Sequence, residues 1–262
     1  RTRTCDLRVM SPTSCQLLYP TSNICCNLKS LEDYVNRFDG KLRFNCFRID
    51  DMDANLKKAM KAKAKRTIAN LEKNNFKATY VDTKKEALTL IKTIVDKDST
   101  TASGGSITLE DCHITDFLKN ETCYEKDPRK AYFADYYLAS ANAVTEHGEI
   151  YQVDGRSNRI SAILYGPKNV ILVVGMNKVV RCIDDAVKRV KQIAAPANAI
   201  RLCKETPCAK AGECIEAGCY AEHLSTLGCN SNERICSNFL IMSKQREKGR
   251  IVVVLVGEEC GY

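Results

Sequence analysis

NAVTEHGEIYQVDGRSNRISAILYGPKNVILVVGMNK, residues 142–178, combines the strongest strand signal of the chain with clustered glycines and charged side chains. Its VILVVG run, residues 170–175, is short, rich in β-branched residues and preceded by Gly166-Pro167. Such a run is typical of a strand that is covered on both faces of a parallel sheet. The polar segments TEHG (145–148) and DGRSNR (154–159) lie beside apolar segments. Loops of this kind at strand ends commonly bind ligands in α/β proteins, so we expect the functional site here.

Helical and strand patterns alternate along the chain from residue 53 onward, which predicts an α/β domain. Helices are predicted over 53–75, after Asp82 or Thr83 as a cap, from about Thr108, over 128–141, and over 182–196 with Pro196 as its end. Strands are predicted at 76–81 and 99–103, and also at NFLIMS (238–243) and RIVVVLVG (250–257). We expect the last two strands to extend or edge the sheet.

A glycine turn joins the strand at 99–103 to the helix that follows it. Gly104, Gly105 and Ser106 lie in this turn. Exposed backbone N–H groups and the positive end of a helix dipole attract phosphate or carboxylate groups. The turn is therefore a candidate anion site. The alternative is a tight strand-to-helix turn in which Thr108 caps the helix.

Apolar run length, net charge and cysteine count indicate which classes of protein this chain does not belong to. The longest clean apolar run, residues 251–256, is far shorter than the ~18–20 residues that span a bilayer, so we expect no membrane segment. The net charge of +8 comes mainly from lysines and Arg66 between residues 57 and 66. This run more commonly forms the solvated face of a helix than a nucleic-acid surface, and we expect no nucleic-acid partner. An odd total of 15 cysteines and no secretory signal favour a reducing cytoplasm.

Residues 1–51 differ from the rest of the chain. They contain cysteines, prolines and an Arg-Thr-Arg-Thr opening, without a sustained hydrophobic period. We interpret them as an N-terminal extension that is disordered or not native, with Met52 as a plausible internal start. The alternative is a natural cysteine-bearing extension. The folded domain is accordingly predicted over residues 52–262.

Five separated motifs in one order carry a family resemblance. They are GGSITL (104–109), NAVTEHGEIYQVDGRSNRISA (142–162), GPKNVILVVGMNKVV (166–180), AAPANAIRL (194–202) and GRIVVVLVGEECGY (249–262). Residues 52–262 thereby resemble the LUD domain, the lactate-utilisation protein family. The resemblance implies a three-layer α/β fold of mostly parallel strands, similar to the sugar-phosphate isomerase and CoA-transferase superfamily. It also implies a part in oxidising L-lactate to pyruvate beside iron–sulfur partner proteins.

The resemblance extends to particular polar residues. The matches are Gly104, Gly105, Ser106, Thr108, Asn142, Thr145, Glu146, Gly148, Asp154, Gly155, Asn158, Arg159, Gly175, Asn177 and Lys178. From these we predict a site for a small anionic metabolite, with Glu146 as the proton acceptor or nucleophile, Arg159 as a bidentate carboxylate clamp and Lys178 as a point charge. The glycine loop, Thr108, Asn142, Thr145 and Asn158 complete the predicted ligand set. Alternatively, Glu146 and Arg159 pair with each other to hold the loops.

A polar, cysteine-rich insertion precedes the last two strands. Its cysteines are at 203, 208, 214, 219, 229 and 236, and no CxxC spacing occurs. Some LUD proteins contain a similar TPCAK-G-x-C and RIC pattern. This resemblance implies that the ligands of zinc or an iron–sulfur cluster are Cys208, Cys214, Cys229 and Cys236. Extra residues after Cys219 depart from that pattern. Reduced thiols or disulfides are the alternatives to a metal.

Three functions follow from these features. The first is a cytoplasmic LUD protein of lactate or organic-acid metabolism. The second is a non-catalytic sensing or scaffold subunit, favoured by the absence of a GxGxxG dinucleotide fingerprint. The third is a sugar-phosphate or acyl-CoA enzyme, suggested by fold analogy. A homo-oligomer is compatible with each of them.

Overall fold

The secondary structure follows the predicted alternation of helices and strands in the computed structural model, which describes residues 53–216 and 226–262. The α-helices are α1 (Ala54–Lys73), α2 (Lys84–Ile94), α3 (Ile107–Asp111), α4 (Ile114–Glu121), α5 (Asn158–Tyr165), α6 (Ile183–Arg189), α7 (Ala195–Arg201) and α8 (Pro207–Ala211). The strands are β1 (Lys77–Val81), β2 (Thr100–Ser103), β3 (Cys123–Tyr124), β4 (Tyr136–Ala139), β5 (Ala143–Thr145), β6 (Ile150–Asp154), β7 (Asn169–Gly175), β8 (Val179–Val180), β9 (Asn238–Met242) and β10 (Ile251–Val256). The predictions for residues 1–51 lie outside the described residues.

The main sheet is parallel throughout. Its six strands have the order β1-β10-β7-β4-β2-β3, and every neighbouring pair is parallel. The predicted VILVVG strand is β7, which lies in the interior of the sheet between β10 and β4. All six carboxyl ends therefore meet at one edge, which is where open α/β sheets bind ligands.

Helices cover both faces of this sheet, which makes three layers. Alternate side chains of β7 enter two separate apolar clusters: Val170, Leu172 and Val174 pack with α1 and α5, whereas Ile171 and Val173 pack with α2, α3 and α4. All five of these side chains are at most 1% exposed. Burial of each is worth ~1.5–3 kcal/mol, so β7 anchors both halves of the core. The α/β prediction with a mostly parallel sheet is confirmed.

A second, smaller sheet was not predicted. It has the order β8-β5-β6-β9, with antiparallel pairs on both sides of β6. Its apolar face packs against α6 and the π-helical turn Val190–Ala194. Strand β9 belongs to this sheet, whereas β10 lies inside the main one.

Two helix predictions were wrong at particular residues. The 128–141 segment contains a short 3₁₀ turn at Lys130–Phe133 and then strand β4. Tyr137 and Leu138 enter the clusters on opposite faces of the sheet, so the local period is two and not 3.6. The helix from residue 183 also does not end at Pro196, which occupies the first turn of α7 after the π-helical turn. A proline is tolerated there because its missing N–H needs no partner.

Across residues 53–216 and 226–262, no helix has both the length and the apolar character needed to cross a membrane.

Candidate functional site

A cavity of about 390 Å³ lies at the carboxyl edge of the main sheet. Residues of the segments that follow β2, β4, β7 and β10 contribute to its wall, together with the start of α5 and the end of α7. The polar residues of the wall are Ser106, Ser140, Asn142, Asp154, Arg156, Asn158, Arg159, Lys178, Asn198, Arg201, Lys204, Cys236 and Tyr262. Its size suits a small metabolite, because ligand pockets commonly measure ~300–1,000 Å³.

Two chain crossings build the inner wall. Residues 140–142 connect β4 of the main sheet to β5 of the second sheet, and the 3₁₀ turn Met176–Lys178 connects β7 to β8. Both connections leave the main sheet at its carboxyl edge. They bring Lys178 close to Ser140 and Asn142, although Lys178 is far from both in sequence.

Arg159 braces this wall through almost all of its donors. Its Nε donates to Asp154 Oδ1 at 2.9 Å, and its two terminal nitrogens donate to Ser140 O at 3.2 Å, Asn142 Oδ1 at 2.7 Å and Val153 O at 2.9 Å. A guanidinium has five N–H donors, so one remains. The predicted bidentate clamp needs two free donors. In this geometry Arg159 holds the wall and has a single N–H left for a ligand.

Gly104 leaves the space that Arg159 occupies. A Cβ atom at residue 104 would lie 2.9 Å from both Cγ and Cδ of Arg159 and 2.9 Å from the Tyr137 hydroxyl. At Gly105, which lines the cavity, a Cβ would meet nothing within 4 Å. The two adjacent glycines therefore differ: the first permits close packing of Arg159, and the second leaves the wall open.

Lys178 places a buried amine on the cavity wall. It is 3% exposed, and its Nζ lies 2.6 Å from Thr108 Oγ1 and 3.2 Å from Ser140 Oγ. Burial is the main reason that its pKa falls from 10.5 to about 7, and the nearby guanidinium groups of Arg189 and Arg159 lower it further. The side chain thus holds a proton weakly at neutral pH.

Arg189 lies behind the wall as a second buried cation. It is 7% exposed and donates to the backbone carbonyl groups of Asn142 at 2.8 Å and Asn177 at 3.1 Å. Burial lowers its pKa to about 10, so the group stays charged at neutral pH. It thereby fixes both chain crossings and adds positive potential beneath the cavity.

The glycine loop contributes to the wall differently from the prediction. Ser106, not Thr108, caps α3, with its Oγ 3.4 Å from the N–H of Leu109. Thr108 is fully buried; its hydroxyl donates to Cys260 O at 3.0 Å and therefore accepts from Lys178. Ser106 and Gly105 line the cavity, while Thr108 and Gly104 support residues that do.

Glu146 lies outside the cavity wall. Its carboxylate accepts from Arg66 at 3.1 Å and lies 3.8 Å from Lys63, both on α1. Glu146 and Arg159 therefore have separate partners, and the alternative that they pair with each other was wrong. The proton-acceptor role predicted for Glu146 stays a prediction, but its neighbours are the basic side chains of α1.

The turn that contains Glu146 is pressed against α1. Gly148 has a φ of +82°, and a Cβ there would lie 2.5 Å from the backbone carbon of Asn70. The Asn70 side chain also donates to the Glu146 carbonyl at 2.8 Å. Thr145, another predicted ligand residue, is buried in the same turn and bonds Glu149 at 2.9 Å. Neither Glu146 nor Thr145 contributes to the cavity wall.

Comparison with known proteins identifies the family of this chain. A family model described as the LUD domain matches residues 64–256, which is most of the chain. The chain belongs to the LUD domain family. A solved DUF162 family protein from Deinococcus radiodurans is 13% identical, with a TM-score of 0.42 over 76% of this chain and 97% of that protein. No curated protein matches the sequence.

The cysteine-rich segment adjoins the cavity of this LUD domain through Cys236. Burial raises the pKa of Cys208, and the thiols of Cys236, Cys229 and Cys214 raise it further, so the four predicted ligands lie in one neighbourhood. In residues 53–216 and 226–262, however, no three His, Cys, Asp or Glu side chains are arranged to hold a metal ion. The predicted zinc or iron–sulfur site stays a prediction, and Cys219 lies outside the described residues.

Several wall residues of the LUD domain were missed. Ser140 was placed in a helix, so the carboxyl end of β4 was not recognised. Arg201 lies in the AAPANAIRL motif but was not chosen as a site residue, and Arg189, behind the wall, lies in a helix that carried no motif. A cation in the middle of an amphipathic pattern, such as Arg189, is the one sequence signal that could have suggested a buried charge.

Proposed function

We propose that the cavity binds a small metabolite that carries a carboxylate, and that the protein supports oxidation of L-lactate to pyruvate together with iron–sulfur partner proteins. The positive charge of the wall supports the first part. The family, whose members are linked to lactate utilisation, supports the second part. The two parts are separable and need separate tests.

The charge of the wall is the observation that carries this proposal. Five cationic side chains line the cavity, and Asp154 is its one carboxylate among the described residues. The Asp154 carboxylate already accepts from Arg159 Nε and from two backbone N–H groups. It therefore cannot neutralise the remaining cations.

Two of these cations, Arg156 and Arg201, lack a carboxylate partner in residues 53–216 and 226–262, and Lys178 lacks one when it is protonated. Lys204 pairs with Glu233 at 2.9 Å, but Arg156, Lys178 and Arg201 form no ion pair within the described part of the chain. Arg201 donates to Asn198, a neutral group. A small anion would supply the missing charge, and a low-dielectric cavity strengthens that attraction.

Isothermal titration calorimetry of the full chain tests the binding proposal. We expect L-lactate and pyruvate to bind, whereas lactamide, which has the same shape without the charge, should not. Arg201→Gln and Arg156→Gln should each weaken binding by about 10- to 100-fold if the side chain makes a charge-assisted hydrogen bond worth ~1.5–3 kcal/mol. Arg66→Gln, on α1 and outside the cavity, is the matched control and should bind as the wild type does.

A wider ligand panel distinguishes the competing functions. Preferential stabilisation by sugar phosphates or CoA esters in thermal-shift measurements would overturn the organic-acid assignment. Equal binding of lactamide and lactate would overturn the charge argument itself. The metabolic part is tested by lactate-dependent growth of a host that lacks the gene: complementation should require Arg201, and unaltered growth with Arg201→Gln would contradict it.

A further inference from the structure

The Lys178 amine is held with a defined hydrogen-bond polarity. The Thr108 hydroxyl donates its one proton to Cys260 O, so its oxygen must accept from Lys178 Nζ at 2.6 Å. The Ser140 hydroxyl donates to Ala141 O at 3.4 Å, and its oxygen accepts from the amine at 3.2 Å. Two N–H groups are thus held by Thr108 and Ser140, and Lys178 lines the cavity.

The electrostatic surroundings favour a neutral amine. Arg189 from α6 and Arg159 from α5 face Lys178 and disfavour its charge, while Cys260 after β10 and Asp111 on α3 favour it weakly. Burial outweighs these groups and, with the two arginines, lowers the pKa to about 7. Desolvation and a neighbouring cation are the features that make a lysine nucleophilic at neutral pH.

We propose that Lys178 Nζ is a nucleophile that condenses with the carbonyl group of a 2-oxo acid bound in the cavity. This inference rests on the proposed function and makes it more specific, because it names the ligand class. A 2-oxo acid has its carbonyl carbon directly beside its carboxylate. A small cavity that contains both unpaired cations and a buried amine can engage both groups of one such molecule.

The reaction balances without a redox partner. The neutral amine adds its lone pair to the carbonyl carbon, and a proton passes from nitrogen to the carbonyl oxygen to form a carbinolamine. Loss of that hydroxyl as water gives an imine, and hydrolysis reverses the sequence. The Ser140 hydroxyl lies close enough to the amine to relay the proton, and Thr108 orients the nitrogen.

Trapping with borohydride tests the proposal on the full chain. Incubation with pyruvate and sodium borohydride should add one pyruvate less its carbonyl oxygen, as water is lost and two hydrogens are gained. Peptide mapping should place the adduct on Lys178, and labelling should increase as the pH is raised through about 7. L-lactate, which has no carbonyl carbon beside its carboxylate, should give no adduct.

Two variants separate chemistry from folding. Lys178→Arg removes the nucleophile but keeps a basic side chain, so the adduct should be lost while circular dichroism and urea unfolding show that the protein is still folded. Lys61→Arg, exposed on α1, should label as the wild type does. Pyruvate binding without an adduct at Lys178, or equal labelling of Lys178→Arg, would overturn the nucleophile alone. Failure of both lactate and pyruvate to bind would instead overturn the proposed function.

Discussion

Two ion pairs in this molecule have similar geometry but different surroundings. Arg159 and Asp154 are 2.9 Å apart with side chains 14% and 9% exposed, whereas Arg66 and Glu146 are 3.1 Å apart and 62% and 25% exposed. Both acids come from the same glycine-rich stretch of sequence. The first pair forms part of the cavity wall, and the second fastens a turn to α1. The difference in burial, more than the difference in distance, decides what each pair contributes.

The physical reason is solvent screening. Water weakens the exposed pair and competes for its hydrogen bonds, so such pairs are typically worth ~0.2–1 kcal/mol. The buried pair has lost its hydration and relies on its protein partners, so removal of one member leaves the other uncompensated. Arg159 has the larger set of partners, since it also bonds Ser140, Asn142 and Val153.

Replacing Arg159 is expected to have the largest effect. Arg159→Met should lower the free energy of unfolding by ~3–5 kcal/mol, because it leaves the Asp154 carboxylate buried without its cation. Urea unfolding followed by circular dichroism measures the change. Arg66→Met is the matched variant for the exposed pair and should stay within ~1 kcal/mol of the wild type. Equal losses for the two variants would show that burial does not separate these pairs.

The second prediction concerns the buried Lys178 amine, whose protonation makes the free energy of unfolding depend on pH. Because Lys178 has a pKa lowered from 10.5 to about 7, the unfolded chain holds a proton above pH 7 that the folded chain has released. The free energy of unfolding should therefore rise with pH between these values and be lowest below about 7. At ~1.4 kcal/mol per pH unit, the contribution of Lys178 between about pH 6 and about pH 9 is ~3 kcal/mol.

Comparison with Lys178→Met isolates this contribution. Unfolding of both proteins at the two pH values should show a rise in the wild type that exceeds the rise in Lys178→Met by ~3 kcal/mol. Lys58→Met, which removes an exposed lysine from α1, should keep the wild-type dependence. Parallel curves for wild type and Lys178→Met would mean that the buried amine keeps its ordinary affinity for protons.

The sequence predicted the main sheet and part of the wall because those features are local. The β-branched run of β7, the amphipathic pattern of α1 and the cap at Thr83 each depend on neighbouring residues. Asn142, Arg159 and Lys178 were selected from the right loops. Ser140 was not selected, because its contacts with Arg159 and Lys178 depend on how the two sheets meet.

The failures have a common cause in tertiary structure. Glu146 carries the same polar-loop signal as Arg159, but its turn packs closely against α1 at Gly148 and does not line the cavity. Residues 128–141 have a helix-like composition, but burial between two neighbouring parallel strands makes residues 136–139 a strand. Arg189 was not singled out, because its burial depends on how α6 packs its side chain beneath the crossings.

The smallest effect is predicted for a substitution that displaces the buried Arg159 guanidinium without removing it. In Gly104→Ala, the new Cβ would meet the Arg159 side chain and the Tyr137 hydroxyl at 2.9 Å, so Arg159 must shift. Overpacking of this kind lowers stability by ~1–3 kcal/mol, and the displaced guanidinium should also weaken lactate binding.

Gly105→Ala provides the adjacent control, since its Cβ meets nothing and the stability change should stay within ~0.5 kcal/mol. Urea unfolding and calorimetry of both variants measure the two effects together. If both variants bind and unfold alike, the fit of Arg159 against Gly104 does not shape the cavity. If only Gly104→Ala lowers stability and lactate binding, the position of the buried Arg159 guanidinium matters as well as its charge. Position would then be a further difference between the buried Arg159–Asp154 pair and the exposed Arg66–Glu146 pair.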